Sequence, residues 1–514
     1  MNIKNLFFNT LKFLLLAFTF LCLFIYVDRV VKDTPLNSDS LDNLQMAYSM
    51  AHYGTMGVVS EAEPAKVAPK NHREPFPNWL SAQWIKVNPV LFNDNNLHQI
   101  QSPEQLIQLK KINTWIVIGT LLGVFFLAKE LFKTRISPNV SFVWAYLAVL
   151  LNYACMHIIH VDYFITEIHG AFLIVWFSLS WLKLFQSKHY LYAVLSGLLL
   201  GLLILTKAAF LYISFATILM TISVMFFQKK PWLSIGKHIL LFTVSMILVM
   251  PWMYRNYVHL GKFEVAGRGP IVLMTRAFKS QMTDEEFKGA FYAYAPASLK
   301  KTMKNITGFS SRDRELGGRL QRFYRAYARD ESCRDLLKEN CAIAYYYQAS
   351  IRYRKIMSSY EQQFSDDANK ANVLGENAAK AYALNMIKNN LVGHLRTTLV
   401  FAWRGAWPCN TVDGRWYKSY RKIMQPAWQE ITPFLGLIAM FGLSMIAFNK
   451  KHHELIALTW FGSAAFLLYS LATHFIPRYS EMMIPIWVLC FVYMIVMLMN
   501  KFNYFLQQLT KREK

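Results

Sequence analysis

Residues 7–27 read FFNTLKFLLLAFTFLCLFIYV and lead, through a short polar joint, into residues 35–79, which read PLNSDSLDNLQMAYSMAHYGTMGVVSEAEPAKVAPKNHREPFPNW. The first stretch is long and apolar enough to cross a bilayer about 30 Å thick. Asp28-Arg29 follows it directly, without a small-x-small cleavage site, so we interpret it as a retained first helix. The second stretch is polar and carries carboxylates at Asp39 and Asp42.

The composition predicts an all-α polytopic membrane protein, because apolar residues make up 54% of the chain and charged residues only 17%. About ten spans are expected (ten to thirteen), at residues 7–27, 112–132, 139–158, 164–185, 190–207, 208–227, 236–254, 427–448, 454–472 and 481–500. The net charge of +24 favours membrane lipids and phosphates as partners. The basic residues are spread through loops between apolar spans, which argues against nucleic acid.

Lysines and arginines follow alternate spans, so the positive-inside rule predicts that both termini are cytoplasmic. Two large segments, 28–111 and 255–426, then lie outside. We divide the chain into an N-terminal transmembrane core with the first outer loop (1–256), an outer helical region (257–425), and C-terminal spans with a short cytoplasmic tail (426–514). In the outer region Thr283 is expected to start a helix, 311–360 and 366–405 to be helical, and 392–407 to form an interfacial helix.

Cys333 and Cys341 lie eight residues apart in the outer region. A disulfide between them requires a turn, since one straight helix would hold them too far apart. The sequence leaves this bond open.

Ionisable residues gather where spans meet the outer side, and charge inside or beside a membrane is a site hypothesis by default. They comprise His160, Asp162, Glu167, Lys207, Arg255 and Arg478. An arginine or lysine in such a place is more often an interfacial anchor than a ligand group. His160 and Asp162 are weak metal candidates because their spacing is not a specific signature, and we predict no metal.

Six short motifs occur in chain order. The first opens with Asp39-Ser40 and reaches Gly54, similar to the form D-S-x-x-Y-x-x-x-A-x-x-L-x-x-x-G, with Asn43 where an aromatic residue is usual. The others are Arg73-Glu74-Pro75-x-Pro77, Phe164-Ile165-Thr166-Glu167, Gly197 to Thr206-Lys207, Pro251-Trp252-x-x-Arg255-Asn256-Tyr257 and Arg478-Tyr479. Together they resemble the lipid-linked sugar transferases of the GT-C superfamily. The branch they resemble most holds the protein O-mannosyltransferases and the lipid A aminoarabinose transferases (glycosyltransferase family 39-like). Residues 265–425 carry no such motif.

This resemblance implies a GT-C fold and an inverting glycosyltransferase that uses a polyprenyl-phosphate sugar as donor and no metal cofactor. Asp39 is the expected catalytic base. Arg255, Arg478 and Lys207 are expected to neutralise the departing phosphate, with Tyr479 beside them. Arg73 and Glu74 either contact the donor sugar or pair with each other, and Glu167 either accepts from a sugar hydroxyl or braces Lys207. Asp42 is expected to be an ordinary helix-start residue.

The resemblance also implies a bacterial inner membrane with the site on the outer face, and an acceptor that is a lipid, a glycan or a protein. Two alternatives stay open. A lipid-linked glycan ligase or polymerase uses a similar donor but usually carries its basic residues in a late outer loop. A flippase or transporter is expected to hold its polar residues in the middle of broken spans.

Overall fold

The computed structural model describes residues 3–59, 67–92, 101–156, 158–187, 189–226, 231–315, 317–323, 343–408, 427–450 and 452–512. The chain forms two compact units. Unit 1 comprises Met1–Met250, Leu435–Gly462 and Glu481–Lys514, and unit 2 comprises Pro251–Phe434 and Ser463–Ser480. Cys333 and Cys341, whose bond the sequence leaves open, both lie outside the described residues.

In the described part of the first half, the regular structure is helical apart from one short hairpin. Its helices are α1 (Ile3–Val30), α2 (Asp39–Tyr53), α3 (Pro75–Val87), α4 (Pro89–Phe92), α5 (Pro103–Phe132), α6 (Pro138–Cys155), α7 (Glu167–Gln186), α8 (Leu191–Thr206), α9 (Ala209–Met225) and α10 (Pro231–Leu260). Strands β1 (Gly57–Val59) and β2 (Val67–Pro69) pair antiparallel, and Ile158–Asp162 forms a 3₁₀ turn. Several helices begin with a proline, whose fixed φ and missing N–H suit the first helical position.

The described part of the second half is also helical. Its helices are α11 (Gly269–Lys279), α12 (Asp284–Ala293), α13 (Lys300–Thr307), α14 (Tyr345–Gln363), α15 (Ala368–Lys388), α16 (Leu391–Gly405), α17 (Ala427–Lys450), α18 (His453–Ala472), α19 (Arg478–Glu481) and α20 (Ile484–Arg512). Short 3₁₀ turns cover Ala297–Leu299, Arg312–Arg314 and Gln321–Phe323.

Ten apolar helices coincide with the ten predicted spans. Among the described residues eight of them are long and apolar enough to cross a membrane: Phe8–Val30, Pro103–Phe132, Pro138–Cys155, Glu167–Gln186, Ser234–Leu260, Trp428–Phe448, Glu454–Ala472 and Ile484–Tyr504. The shorter pair, Leu191–Thr206 and Ala209–Met225, is separated at Lys207, where the sequence placed a boundary. The prediction of an all-α polytopic membrane protein is confirmed.

The described part of residues 257–425 is helical where the sequence most strongly predicted helices. Thr283 starts α12 with a capping box, in which its hydroxyl accepts from the Glu286 N–H and the Glu286 carboxylate accepts from the Thr283 N–H. Within 311–360, where helix is expected, the chain is helical from Tyr345 onward, while residues 316 and 324–342 lie outside the described residues. Before that point the described chain forms 3₁₀ turns, and Gly317 adopts a φ of 79°, which ends regular helix.

A buried core holds α2 against α3 and α5 in unit 1. It comprises Leu36, Leu44, Ala47, Tyr48, Ala51, Ala82, Ile85, Leu91, Leu106, Leu109 and Phe164. Asn43, the departure from the family pattern, is buried here and donates from Nδ2 to the Phe164 carbonyl at 2.9 Å. The hairpin closes on the same helix, because the Ser49 hydroxyl donates to the Gly57 carbonyl at 2.9 Å. The N-terminal turn of α2 is therefore held in a fixed place.

Candidate active site

Asp39 is the first residue of α2 and lies in its first turn. Ser38 occupies the N-cap, and its side chain makes no capping hydrogen bond. Its φ of 48° is uncommon for a residue other than glycine and is the kind of strain that clusters at functional sites. Asp39 and Asp42 both lie in the first turn, where the helix dipole favours negative charge.

Arg73 joins these two carboxylates. Its Nη2 donates to Asp39 Oδ1 at 2.5 Å and to Asp42 Oδ2 at 2.6 Å. Asp39 and Asp42 are three residues apart and share one helix face, so a single guanidinium reaches both. The largest influence on the pKa of Arg73 is burial, which lowers it, but attraction and hydrogen bonds from Asp39 and Asp42 together outweigh burial and raise it. Arg73 is therefore a permanent cation between two acids.

The alternative of an Arg73–Glu74 pair is wrong for this structure. Glu74 has an extended backbone, with φ −76° and ψ 139°, and neighbouring side chains on extended backbone point to opposite sides. Arg73 consequently reaches α2, while Glu74 Oε1 lies 4.0 Å from Lys207 Nζ.

Lys207 lies between a second pair of carboxylates. It follows the last residue of α8, and its Nζ donates to Oε1 of Glu167, the first residue of α7, at 3.2 Å. Glu167 is only 2% exposed, so its charge needs compensation inside the protein, and Lys207 contributes to it. Of the two expectations for Glu167, the structure contains the contact that braces Lys207.

Asp42 and His72 belong to the site although neither was predicted as a site residue. Asp42 shares Arg73 with Asp39, and His72 Nε2 lies 3.8 Å from Asp42 Oδ2. The three-residue spacing of Asp39 and Asp42 was the available signal, since such residues face the same way on a helix. The candidate site in unit 1 thus contains Asp39, Asp42, His72, Arg73, Glu74, Glu167 and Lys207.

The weak metal candidates do not come together. His160 Nδ1 lies 2.5 Å from Glu481 Oε2, whereas Asp162 Oδ1 accepts from Lys110 Nζ at 2.9 Å and from the Lys32 N–H at 2.8 Å. In the described part of the chain, three or more His, Cys, Asp or Glu side chains nowhere converge in a way that could hold a metal ion.

Arg255 belongs to unit 2 and lies near the end of α10. Its guanidinium stacks over the Trp252 ring, 4.8 Å from the centroid, and Nη1 donates to Asn256 Oδ1 at 2.9 Å. Asn256 Nδ2 in turn donates to the Glu264 carbonyl at 2.8 Å, and Trp252 Nε1 to the Val265 carbonyl at 2.9 Å. The P-W-x-x-R-N-Y motif therefore ties the helix end to the segment that follows Gly261 and orients Arg255.

Arg478 and Tyr479 begin α19, also in unit 2. The Tyr479 ring lies 5.3 Å from that of Tyr469 and 6.2 Å from that of His474. The next residue, Ser480, donates from its hydroxyl to the Gly405 carbonyl at 2.5 Å. These contacts fix the start of α19.

Comparison with known proteins finds no matching family model and no matching curated protein. Among solved structures, the chain is similar to the oligosaccharyltransferase AglB from Archaeoglobus fulgidus in complex with an inhibitory peptide and a dolichol-phosphate, with 10% identity and a TM-score of 0.47. The alignment covers 96% of this chain and 52% of that one, so the chain spans about half the length of AglB. It is also similar to ArnT from Cupriavidus metallidurans, with 13% identity, a TM-score of 0.36, and coverage of 89% and 77%.

Proposed function

We propose that this protein is an inverting GT-C glycosyltransferase that moves a sugar from a polyprenyl phosphate to an acceptor at the outer face of a bacterial inner membrane. The observation that carries the proposal is Asp39 held by Arg73 at the rigid start of α2. Asp39 keeps 23% of its side chain exposed while Arg73 is almost fully buried. An acceptor hydroxyl can thus approach the Asp39 carboxylate from solvent, while Arg73 holds that carboxylate from the protein interior.

In this reaction the acceptor oxygen attacks the anomeric carbon from the side opposite the phosphate. The new carbon–oxygen bond forms as the anomeric carbon–phosphate oxygen bond breaks, and polyprenyl phosphate leaves with the electron pair. Asp39 takes the acceptor proton or polarises the hydroxyl. A carboxylate fixed at one oxygen by a buried guanidinium loses little orientation freedom on the way to the transition state.

The phosphate has to be neutralised by cations. We assign this role to Arg255 and Arg478, because arginine binds phosphate through two parallel hydrogen bonds. Lys207 is the weaker of the three candidates, since Glu167 and Glu74 already surround its ammonium group. Tyr479 and Glu74 are assigned to the donor, and Asp42 to the orientation of Arg73.

We further propose that the reaction needs no metal cofactor. Arg73 already supplies the positive charge that a cation would otherwise bring to Asp39 and Asp42. The expected outcome is that turnover survives treatment with EDTA, and loss of turnover that added magnesium or manganese restores would contradict this part.

The polar residues support an enzyme over a transporter. Asp39 and Glu167 begin helices and Lys207 follows one, so the charges lie at helix ends and not in the middle of broken spans. Transport would give substrate movement without release of polyprenyl phosphate.

The test uses purified wild type and Asp39→Asn in liposomes that contain polyprenyl-phosphate sugars, with released polyprenyl phosphate as readout. Asp33→Asn is the matched control, because Asp33 is exposed in the same loop. We expect Asp39→Asn to lose about 10²-fold or more in turnover, the contribution typical of a general base, and the control to keep full activity. Full turnover in Asp39→Asn would reject the base, and no donor consumption by wild type would reject the function.

A further inference from the structure

Helix α16 in unit 2 exposes a continuous apolar stripe. Leu391, Val392, Leu395 and Leu399 are each between 57% and 70% exposed. Residues four apart lie above one another on a helix, so the four side chains form one ridge. A contiguous patch of large apolar side chains is uncommon on a free protein surface and marks a contact with lipid or protein.

The opposite face of α16 is firmly packed, which fixes the direction of the stripe. Val400 and Phe401 are fully buried. Gly405 lies against Phe475 so closely that a Cβ at this position would be 2.3 Å from the ring, and Arg404 Nη1 donates to the His474 carbonyl at 3.1 Å. The helix therefore cannot turn its leucines inward without losing these contacts.

Arg276 ties α16 to the end of a membrane span. Its Nη1 donates to the carbonyls of Ser470 at 2.9 Å and Thr473 at 3.2 Å, at the C-terminal end of α18. The last carbonyls of a helix lack partners and carry the negative end of its dipole, so a buried cation is favourable there.

The remaining donors of Arg276 reach α16. Nη2 donates to the His394 carbonyl at 2.9 Å and the Thr398 hydroxyl at 2.7 Å, and Nε donates to His394 Nδ1 at 3.3 Å. One guanidinium thus uses all five N–H groups to fix α16 at the level where α18 ends. The end of a span is the level of the boundary between acyl chains and headgroups.

Neighbouring features of unit 2 agree with this depth. On α18, Leu467 and Leu471 are exposed near the same end, as expected of lipid-facing residues of a span. Lys388, at the end of α15 and just before α16, is exposed and can reach lipid phosphates. A basic residue beside an apolar helix face is the pattern of helices that lie in the membrane surface.

We propose that α16 is an interfacial helix that embeds Leu391, Val392, Leu395 and Leu399 in the leaflet at the C-terminal end of α18. The occupant of the stripe is the lipid bilayer, and Lys388 contacts its phosphates. The proposal is independent of the sugar-transfer reaction, because it rests only on exposure, packing and the Arg276 hydrogen bonds.

The test places the photoreactive amino acid p-benzoylphenylalanine at Leu395 or at Leu399 of the full chain in vesicles of phosphatidylcholine and phosphatidylglycerol. Lys380, exposed on α15, is the matched control position. After irradiation, mass spectrometry of the tryptic peptides counts lipid adducts. We expect several times more adduct at both leucine positions than at the control.

Cross-linked dimers at Leu395, or equal lipid adduct at Lys380 and Leu395, would overturn the proposal, the first in favour of a second copy of the chain. A second measurement guards against misfolding. The double variant Leu395→Ser/Leu399→Ser keeps the buried face of α16 intact, so it should fold in detergent. In vesicles, amide hydrogen exchange of α16 should be faster in this variant than in wild type. Unchanged exchange of α16 in vesicles would contradict embedding.

Discussion

The Lys207–Glu167 contact allows the sharpest test of how the candidate site is built. Their atoms are 3.2 Å apart, and a pair of unit charges at this distance attracts by about 5 kcal/mol at an effective dielectric constant of 20. Desolvation opposes much of this attraction. Glu167 is 2% exposed, so removal of Lys207 takes a cationic partner from a carboxylate that water reaches poorly.

Lys207→Met is therefore expected to lower the free energy of unfolding by about 3 to 5 kcal/mol, the range for breaking a buried pair. Glu167→Gln should do less harm, because Glu74 remains 4.0 Å from the ammonium group of Lys207. The double variant should recover most of the loss, which corresponds to a coupling of about 2 kcal/mol or more. This geometry requires that Lys207→Met lower the free energy of unfolding more than Glu167→Gln does.

The assay is equilibrium unfolding in mixed micelles, followed by tryptophan fluorescence and circular dichroism. Arg319→Met with Glu285→Gln is the control cycle, since that pair has a similar separation of 3.1 Å but lies in solvent. Solvent-exposed pairs contribute little, so the control cycle should show no coupling beyond error. The reasoning is refuted if the Lys207–Glu167 coupling is as small as the control, or if Glu167→Gln is the more damaging single change.

Two further outcomes follow from other contacts. Asp42→Asn removes one of the two carboxylates that Arg73 contacts and a negative charge close to Asp39. Turnover should fall, and the acid limb of the pH–rate profile should move to lower pH because Asp39 then loses its proton more easily. An unmoved acid limb would show that Asp42 does not influence Asp39. Burial and the positive charge of Arg276 lower the pKa of His394 in the folded chain below 6.5. The unfolded chain therefore takes up this proton at a higher pH than the folded chain, and the free energy of unfolding should fall as the pH drops below about 6.5. His394→Asn keeps an acceptor without a titrating ring, so the melting temperature of this variant should depend less on pH between pH 7.5 and 5 than that of wild type. An equal pH dependence in both proteins would contradict the assignment.

The fold was predictable because its signal is local. Each span is a run of apolar residues long enough to cross a bilayer, and each boundary carries charge or proline. The separation of α8 from α9 at Lys207 shows how far this reaches, since one lysine marked the end of a helix. Residues 312–314 and 321–323 form 3₁₀ turns where helix was expected, because composition alone does not register the positive φ of Gly317, which ends regular helix there.

The sequence names candidate site residues one at a time and does not name the residues that they contact. Asp39 and the basic residues could be named from motif order, but their partners could not. Arg73 and Glu74 are neighbours in sequence, yet extended backbone sends them to different carboxylates and different helices. His160 and Asp162 are close in sequence and pair with Glu481 and Lys110, which lie far away along the chain. Pairing of this kind depends on tertiary contacts that no local pattern encodes.

The charge balance of the candidate site constrains the proposed mechanism. Arg73 lies between Asp39 and Asp42, and Lys207 between Glu74 and Glu167, so each cation is outnumbered by carboxylates. A group of this composition repels a phosphate but stabilises the positive charge that develops on a sugar ring as its glycosidic bond breaks. On the proposed function, the residues of the candidate site therefore serve the sugar and the acceptor, and neutralising the lipid phosphate is the role proposed for Arg255 and Arg478. Replacing either arginine by methionine should then weaken donor binding, whereas Glu74→Gln should change turnover more than donor affinity.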